Sequence, residues 1–206
     1  VRKPAAEMDS SLSYAPRLAS PPLHGGRPSF PDEHDAALAC AANRPKYSGP
    51  KLQTVARSSS EFEAVTKYFK STLGANSCEV EQLERIDNNK VQCRLFRGSS
   101  EHTLMFHGCR TPANETKILQ DGFQVQSCQS GGMNYGTWFA YNAKYSNLGY
   151  AFTDREGFKH MFICVVSYYY TVMDNLEMRV VGQGCAYPQW LIKYKSEPYP
   201  SYSAAF

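Results

Sequence analysis

A histidine followed by a glycine at the end of a short apolar run is the most chemically suggestive feature of this 206-residue chain. Residues 103–106 read as a strand that stops at His107 and Gly108. Such an ending presents an imidazole beside a backbone with no side chain, so a planar group can reach the glycine N–H and C=O. A carboxamide has the matching acceptor and donor. Taken alone, His107 reads as a strand-end histidine with its hydrogen bonds satisfied, and the rest of the chain has to decide between the two.

Several other chemistries find no support. The sequence holds neither a P-loop nor a GxGxxG after a strand, which argues against a Rossmann-type dinucleotide site. Seven cysteines (Cys40, Cys78, Cys93, Cys109, Cys128, Cys164, Cys185) are widely separated, with no CxxC pair and no histidine at metal-ligand spacing. They read as mostly reduced thiols, and no metal is expected. The formal charge of +3 is spread along the chain, giving no clustered surface for nucleic acid or an anionic membrane. No apolar run approaches the roughly 20 residues of a membrane helix, and the first residues lack a signal-peptide pattern. An intracellular protein, cytoplasmic or nuclear, is the expectation.

The elements that must hold His107 and Gly108 can be read on both sides of them. Residues 1–57, rich in Pro, Ser, Ala and Gly without a sustained apolar period, are expected as a disordered tail with at most a short helical stretch at 35–42. Residues 58–206 are expected as the folded domain. Its first helix starts at Ser60, where Ser60 and Glu63 have capping-box spacing and Phe62, Val65, Phe69 and Leu73 share a face, and it stops at Gly74. Extended segments follow at 80–86 and 91–96, joined by a turn at 87–89. After His107 and Gly108, Thr111 caps a helix with Pro112 in its first turn and Gly122 past its end. A strand at 135–140, a short helix at 142–150, and strands at 160–170 and 190–194 complete an α+β domain with a mainly antiparallel sheet.

Four pieces of this domain resemble, in order and spacing, the nicotinamide-dinucleotide signature of the poly(ADP-ribose) polymerase superfamily, whose fold is of the diphtheria-toxin type. They are LMFHGCR at 104–110, ILQDGF at 118–123, YGTWFAYNAKYS at 135–146 and AYPQWLIKY at 186–194. The likeness spans most of 60–195 and is greatest to the mono-ADP-ribosylating members. It implies a split antiparallel sheet with short flanking helices and NAD as the substrate.

By this resemblance, Gly108 pairs through its backbone with the nicotinamide carboxamide, and His107 bonds a hydroxyl of the adenosine ribose. Ser146, seven residues after Phe139, matches the serine that holds the carboxamide oxygen; its other reading is a helix cap. Tyr150 lies near the place of an aromatic that stacks on nicotinamide, with Tyr145 as the alternative. A pyridinium cation over such a ring gains about 0.5–2 kcal/mol. Trp138 stands where the family has a second stacking tyrosine, and lacks its phenol hydroxyl. Cys109 replaces the usual small hydroxyl residue after His-Gly. Arg110, Lys144 and Lys159 are candidate partners for the diphosphate, or ordinary surface charges.

The family's third catalytic position lies on the strand before the Tyr-Pro pair, and counting back ten residues from Tyr187 reaches Glu177. A carboxylate there polarises the nicotinamide-ribose hydroxyl and stabilises the oxocarbenium-like charge as nicotinamide leaves. If the shortened 171–185 segment shifts the alignment, Val180 or Val181 takes that place. The expected function is transfer of one ADP-ribose to a protein acceptor. Two alternatives are a pseudo-enzyme that binds NAD or a protein through the same fold, and an interaction protein acting through its Pro-rich tail.

Overall fold

The computed structural model describes residues 32–42, 51–75, 77–88, 102–125, 136–168 and 170–197. Within them the order of elements is α1 (Glu33–Ala42), β1 (Lys51–Thr54), α2 (Ser60–Leu73), β2 (Cys78–Asp87), β3 (His102–His107), α3 (Pro112–Asp121), β4 (Thr137–Ala140), α4 (Ala143–Asn147), β5 (Lys159–Ser167), β6 (Thr171–Asp174), β7 (Met178–Val181) and β8 (Ala186–Ser196). The strands form one sheet in the order β1-β2-β8-β5-β3-β4-β7-β6, every pairing antiparallel. The expected α+β class with an antiparallel sheet is the observed one.

The longest strand is β8, third in the sheet, which pairs with β2 on one side and β5 on the other. Tyr187, Trp190 and Tyr194 are fully buried in it, and each also has a polar end that needs a partner. Trp190 Nε1 donates to Glu61 Oε1 at 2.8 Å, Tyr187 Oη to Ile86 O at 2.6 Å, and Tyr194 Oη to Asn147 Oδ1 at 3.0 Å. Glu61 also pairs with Arg85 of β2, so one carboxylate of α2 binds two strands of the sheet. Helix α2 lies on this face because Val65, Tyr68, Phe69, Thr72 and Leu73 recur at helical spacing and are buried. Ser59, one residue before the expected cap, accepts from Phe62 N at 3.1 Å, and Gly74 ends the helix at φ 65°.

Two elements precede Ser60, inside the stretch expected as a disordered tail. Helix α1 buries Ala37 and Ala41 in the core beneath α2, and β1 pairs with β2 from Lys51↔Asp87 to Thr54↔Glu84. The short helical stretch expected at 35–42 is observed as Glu33–Ala42, while the expectation of a disordered tail to Arg57 is not met at Lys51–Thr54. The reason is tertiary: an alanine-rich helix shows little amphipathic period, and it is held by burial of His34, Ala37 and Ala41. Strand β3 pairs fully with β5, but its registered contact with β4 is the pair Phe106↔Ala140. Upstream of that contact, His34 Nε2 accepts from Leu104 N at 3.2 Å and lies 3.0 Å from Thr103 Oγ1, while Tyr68 Oη donates to Leu104 O at 3.0 Å. Side chains of α1 and α2 therefore take backbone groups that a strand would otherwise take.

On the other face, α3 is delimited as expected, with Thr111 Oγ1 accepting from Asn114 N at 3.2 Å and Gly122 past its end. It is tied to the sheet through His160, whose Nδ1 and Nε2 lie 3.0 Å from Glu115 Oε2 and 3.1 Å from Asp154 Oδ2. Burial opposes charge on His160, but hydrogen bonds to the two carboxylates, then their charges, outweigh it and raise its pKa. Glu84 of β2 and Lys193 of β8 complete the charged surroundings.

His34→Leu should lower stability by about 1–3 kcal/mol, since it leaves the buried Leu104 N–H without an acceptor. Urea unfolding at neutral pH measures it, and an unchanged midpoint would contradict the clamp. Because the folded-state pKa of His160 is raised, its stabilisation is complete below the unfolded value of about 6.5 and is lost as pH rises through the folded one. The stability gap between wild type and His160→Gln should therefore be largest near pH 6 and shrink in alkali; a gap independent of pH would refute this.

Candidate active site

His107 ends β3 opposite Phe162, with its ring wedged against Phe123 (centroids 5.0 Å apart, 71° between planes) and Phe139 (5.5 Å, 49°). Its Nδ1 lies 2.8 Å from the Trp138 carbonyl of β4. A carbonyl can only accept, so the proton sits on Nδ1 and Nε2 is left as an acceptor. Burial lowers the pKa of His107, against the opposing pull of that hydrogen bond. A neutral imidazole with a bare Nε2 suits a hydroxyl donor such as a ribose.

Gly108 follows with its Cα pressed against the turn after α4. A Cβ there would stand 2.7 Å from Tyr150 C and Ala151 N and 2.9 Å from Tyr150 Cβ, so a glycine is required by close backbone approach. Among the described contacts, no hydrogen bond engages the Gly108 N–H or C=O. This pairing of a free donor and acceptor is what a carboxamide would use.

Helix α4 brings three further groups to the same place. Ser146 is buried, its Oγ 3.5 Å from Phe106 O, and its carbonyl accepts from Tyr150 N and Ala151 N at 3.1 and 3.0 Å. Tyr150 stacks on Tyr145 with centroids 5.6 Å apart and planes 13° from parallel, and the Arg110 guanidinium lies over the Tyr150 ring at 5.0 Å. The Tyr145 phenol is raised by its hydrogen bond to Tyr150, then by burial and the charges of Tyr150 and Glu177. Glu177 is exposed in the turn before β7, its carbonyl accepting from Tyr141 N at 2.9 Å.

Gly108, Arg110, Ser146 and Tyr150 are thus brought together by direct contacts, with His107 beside Gly108 at the end of β3; among the described residues no hydrogen bond or ion pair joins the Glu177 carboxylate to them. Trp138 contributes its carbonyl; its side chain stands on β4 beside Val180, partly buried, with a buried indole N–H that finds no acceptor among the described residues. The aromatic pair in contact is Tyr145 and Tyr150. Cys109 is buried beside the site and its thiol is pushed up to about 12, by burial first and then by Glu115, so it is no nucleophile. Lys159, a candidate for diphosphate, is engaged instead with Asn147 O and Oδ1 at 3.2 and 2.8 Å, which anchors the residue after Ser146. Nothing in the local sequence around Lys159 announces that contact.

The family model of the poly(ADP-ribose) polymerase catalytic domain matches residues 59–176. The chain belongs to that family. The match begins at the cap of α2, contains His107, Gly108, Ser146 and Tyr150, and stops one residue before Glu177. A probable poly(ADP-ribose) polymerase of Dictyostelium discoideum is 28% identical over 183 residues, covering 71% of this chain and 53% of that protein. The chain spans about half the length of this relative.

Gly108→Ala should lower stability by about 1–3 kcal/mol, because the added methyl meets backbone atoms that cannot rotate away. A melting temperature equal to that of wild type would show that the Gly108 contact with residues 150–151 is not as described.

Proposed function

We propose that this chain is an NAD-dependent ADP-ribosyltransferase that moves a single ADP-ribose to a protein acceptor with release of nicotinamide. The observation that carries this reading is the free Gly108 N–H and C=O beside a neutral His107 whose Nδ1 is already committed. Membership in the catalytic-domain family and the printed name of the relative support it.

In this mechanism Gly108 pairs with the nicotinamide carboxamide and the Ser146 hydroxyl donates to its oxygen. His107 Nε2 accepts from the adenosine ribose, and Tyr150 and Trp138 supply π faces for the pyridinium. The reaction is dissociative: with both halves of the dinucleotide fixed, the glycosidic bond lengthens and positive charge grows on the ribose. Glu177 polarises the ribose hydroxyl and stabilises that charge, and Arg110 supplies a donor for the diphosphate. No step needs a metal. Single transfer is favoured because the segment after Tyr170 is two four-residue strands and a turn, too little to hold a growing polymer. An intracellular setting, cytoplasmic or nuclear, fits the five free cysteines among the described residues.

One observation favours a second reading, a binding module without turnover. The Tyr150 ring is already in contact with Tyr145 and Arg110, so a stacking pyridinium has to displace one of them. Incubation with labelled NAD separates the two. The transferase reading expects label on protein, abolished by His107→Ala and reduced about a hundredfold or more by Glu177→Gln. Absence of transfer together with no thermal stabilisation by NAD would defeat both.

A further inference from the structure

We infer that Arg179 is a positioning residue for Glu177, locking the turn that carries the carboxylate. This rests on the role proposed above for Glu177. Arg179 is 1% exposed, opposite Phe139 in the ladder between β4 and β7. A buried guanidinium is expensive, and an apolar side chain of similar size would serve packing at least as well. What the arginine adds is geometry.

Arg179 Nη2 and Nε donate to Asp174 Oδ2 at 2.6 and 3.2 Å, and Nη2 also donates to Tyr141 Oη at 2.6 Å. The Tyr141 hydroxyl in turn donates to Asp174 Oδ1 at 2.7 Å, closing a ring of three side chains. Tyr168 lies against the guanidinium, with its ring centroid 3.5 Å from Cζ. Asp174 and Arg179 are registered partners at the end of the β6–β7 hairpin, and the turn between them contains Glu177. Inside that turn Asn175 Oδ1 accepts from Glu177 N at 2.9 Å and Met178 N at 2.8 Å. Tyr141 is therefore the shared joint: its amide holds the Glu177 carbonyl while its hydroxyl is held by Asp174 and Arg179. A loosened guanidinium is transmitted to the carboxylate through this one residue and the hairpin end.

The test uses the full chain and labelled ADP-ribose transfer, comparing Arg179→Met, Arg179→Lys, Tyr141→Phe, Glu177→Gln and the Arg179→Met/Glu177→Gln double variant. Arg179→Met should lower kcat by about ten- to a hundredfold, with KM for NAD within about twofold. In the Glu177→Gln background the same change should have little further effect, because both act on one group. Lysine, lacking the planar fork, should not restore kcat. If Arg179→Met fails to fold, Tyr141→Phe, which keeps the ring, carries the same comparison, with hydrogen exchange of residues 174–178 as the direct readout of the turn. Loss in Glu177→Gln without loss in Arg179→Met, or losses that multiply in the double variant, overturn the clamp and leave the role of Glu177 standing. Undiminished transfer by Glu177→Gln overturns both.

Discussion

The hydrogen bond from His107 Nδ1 to the Trp138 carbonyl joins two strands whose registered contact is the single pair Phe106 and Ala140. Because β4 diverges from β3, the strand end at His107 and Gly108 is not absorbed into a continuous ladder. One ring nitrogen completes the junction, and neither the other nor the Gly108 backbone takes a hydrogen bond among the described residues. The same divergence leaves Leu104 to be satisfied by His34 and Tyr68, so α1 and α2 hold the strand from which the site projects. A fully paired β3 would be more regular and chemically mute.

Charge at the site is distributed sparingly. His107 is kept neutral by burial, and the Cys109 thiol is held protonated. Glu177 is exposed, which makes its placement depend on the backbone beneath it. That backbone is stiffened by a buried ion pair, Arg179 with Asp174, where burial alone would favour an apolar residue.

Much of this was legible from residue pattern. Helix α2 and helix α3 announce themselves by caps, glycine stops and apolar spacing, and β5 and β8 by dense β-branched and aromatic runs. The register of the first cap slipped by one, because adjacent serines offer two equivalent acceptors and only the backbone angle at Ser59 chooses between them. Helix α1 shows in the sequence only as a short helical stretch at 35–42, since alanines carry little period, and β1 is not visible, being defined by its partner β2 rather than by its own residues. The four-residue strands β6 and β7 are too short to show alternation. His107, Gly108 and Ser146 are singled out in the sequence by the family resemblance, through the order of its four pieces. The contact of Tyr150 with Tyr145 and Arg110, the anchoring of Asn147 by Lys159 and the ring of Arg179, Asp174 and Tyr141 join residues distant in sequence or hidden by unremarkable neighbours.

The central claim is that the Gly108 backbone receives a carboxamide. Titrating the ¹⁵N-labelled protein with benzamide, a neutral carboxamide on a planar ring, while following backbone amide shifts tests it most directly. Expected is a saturable downfield shift of the Gly108 N–H, accompanied by Ser146 and Tyr150, that benzoate does not reproduce. Saturation with the Gly108 amide unmoved, or shifts centred elsewhere on the sheet, would contradict it.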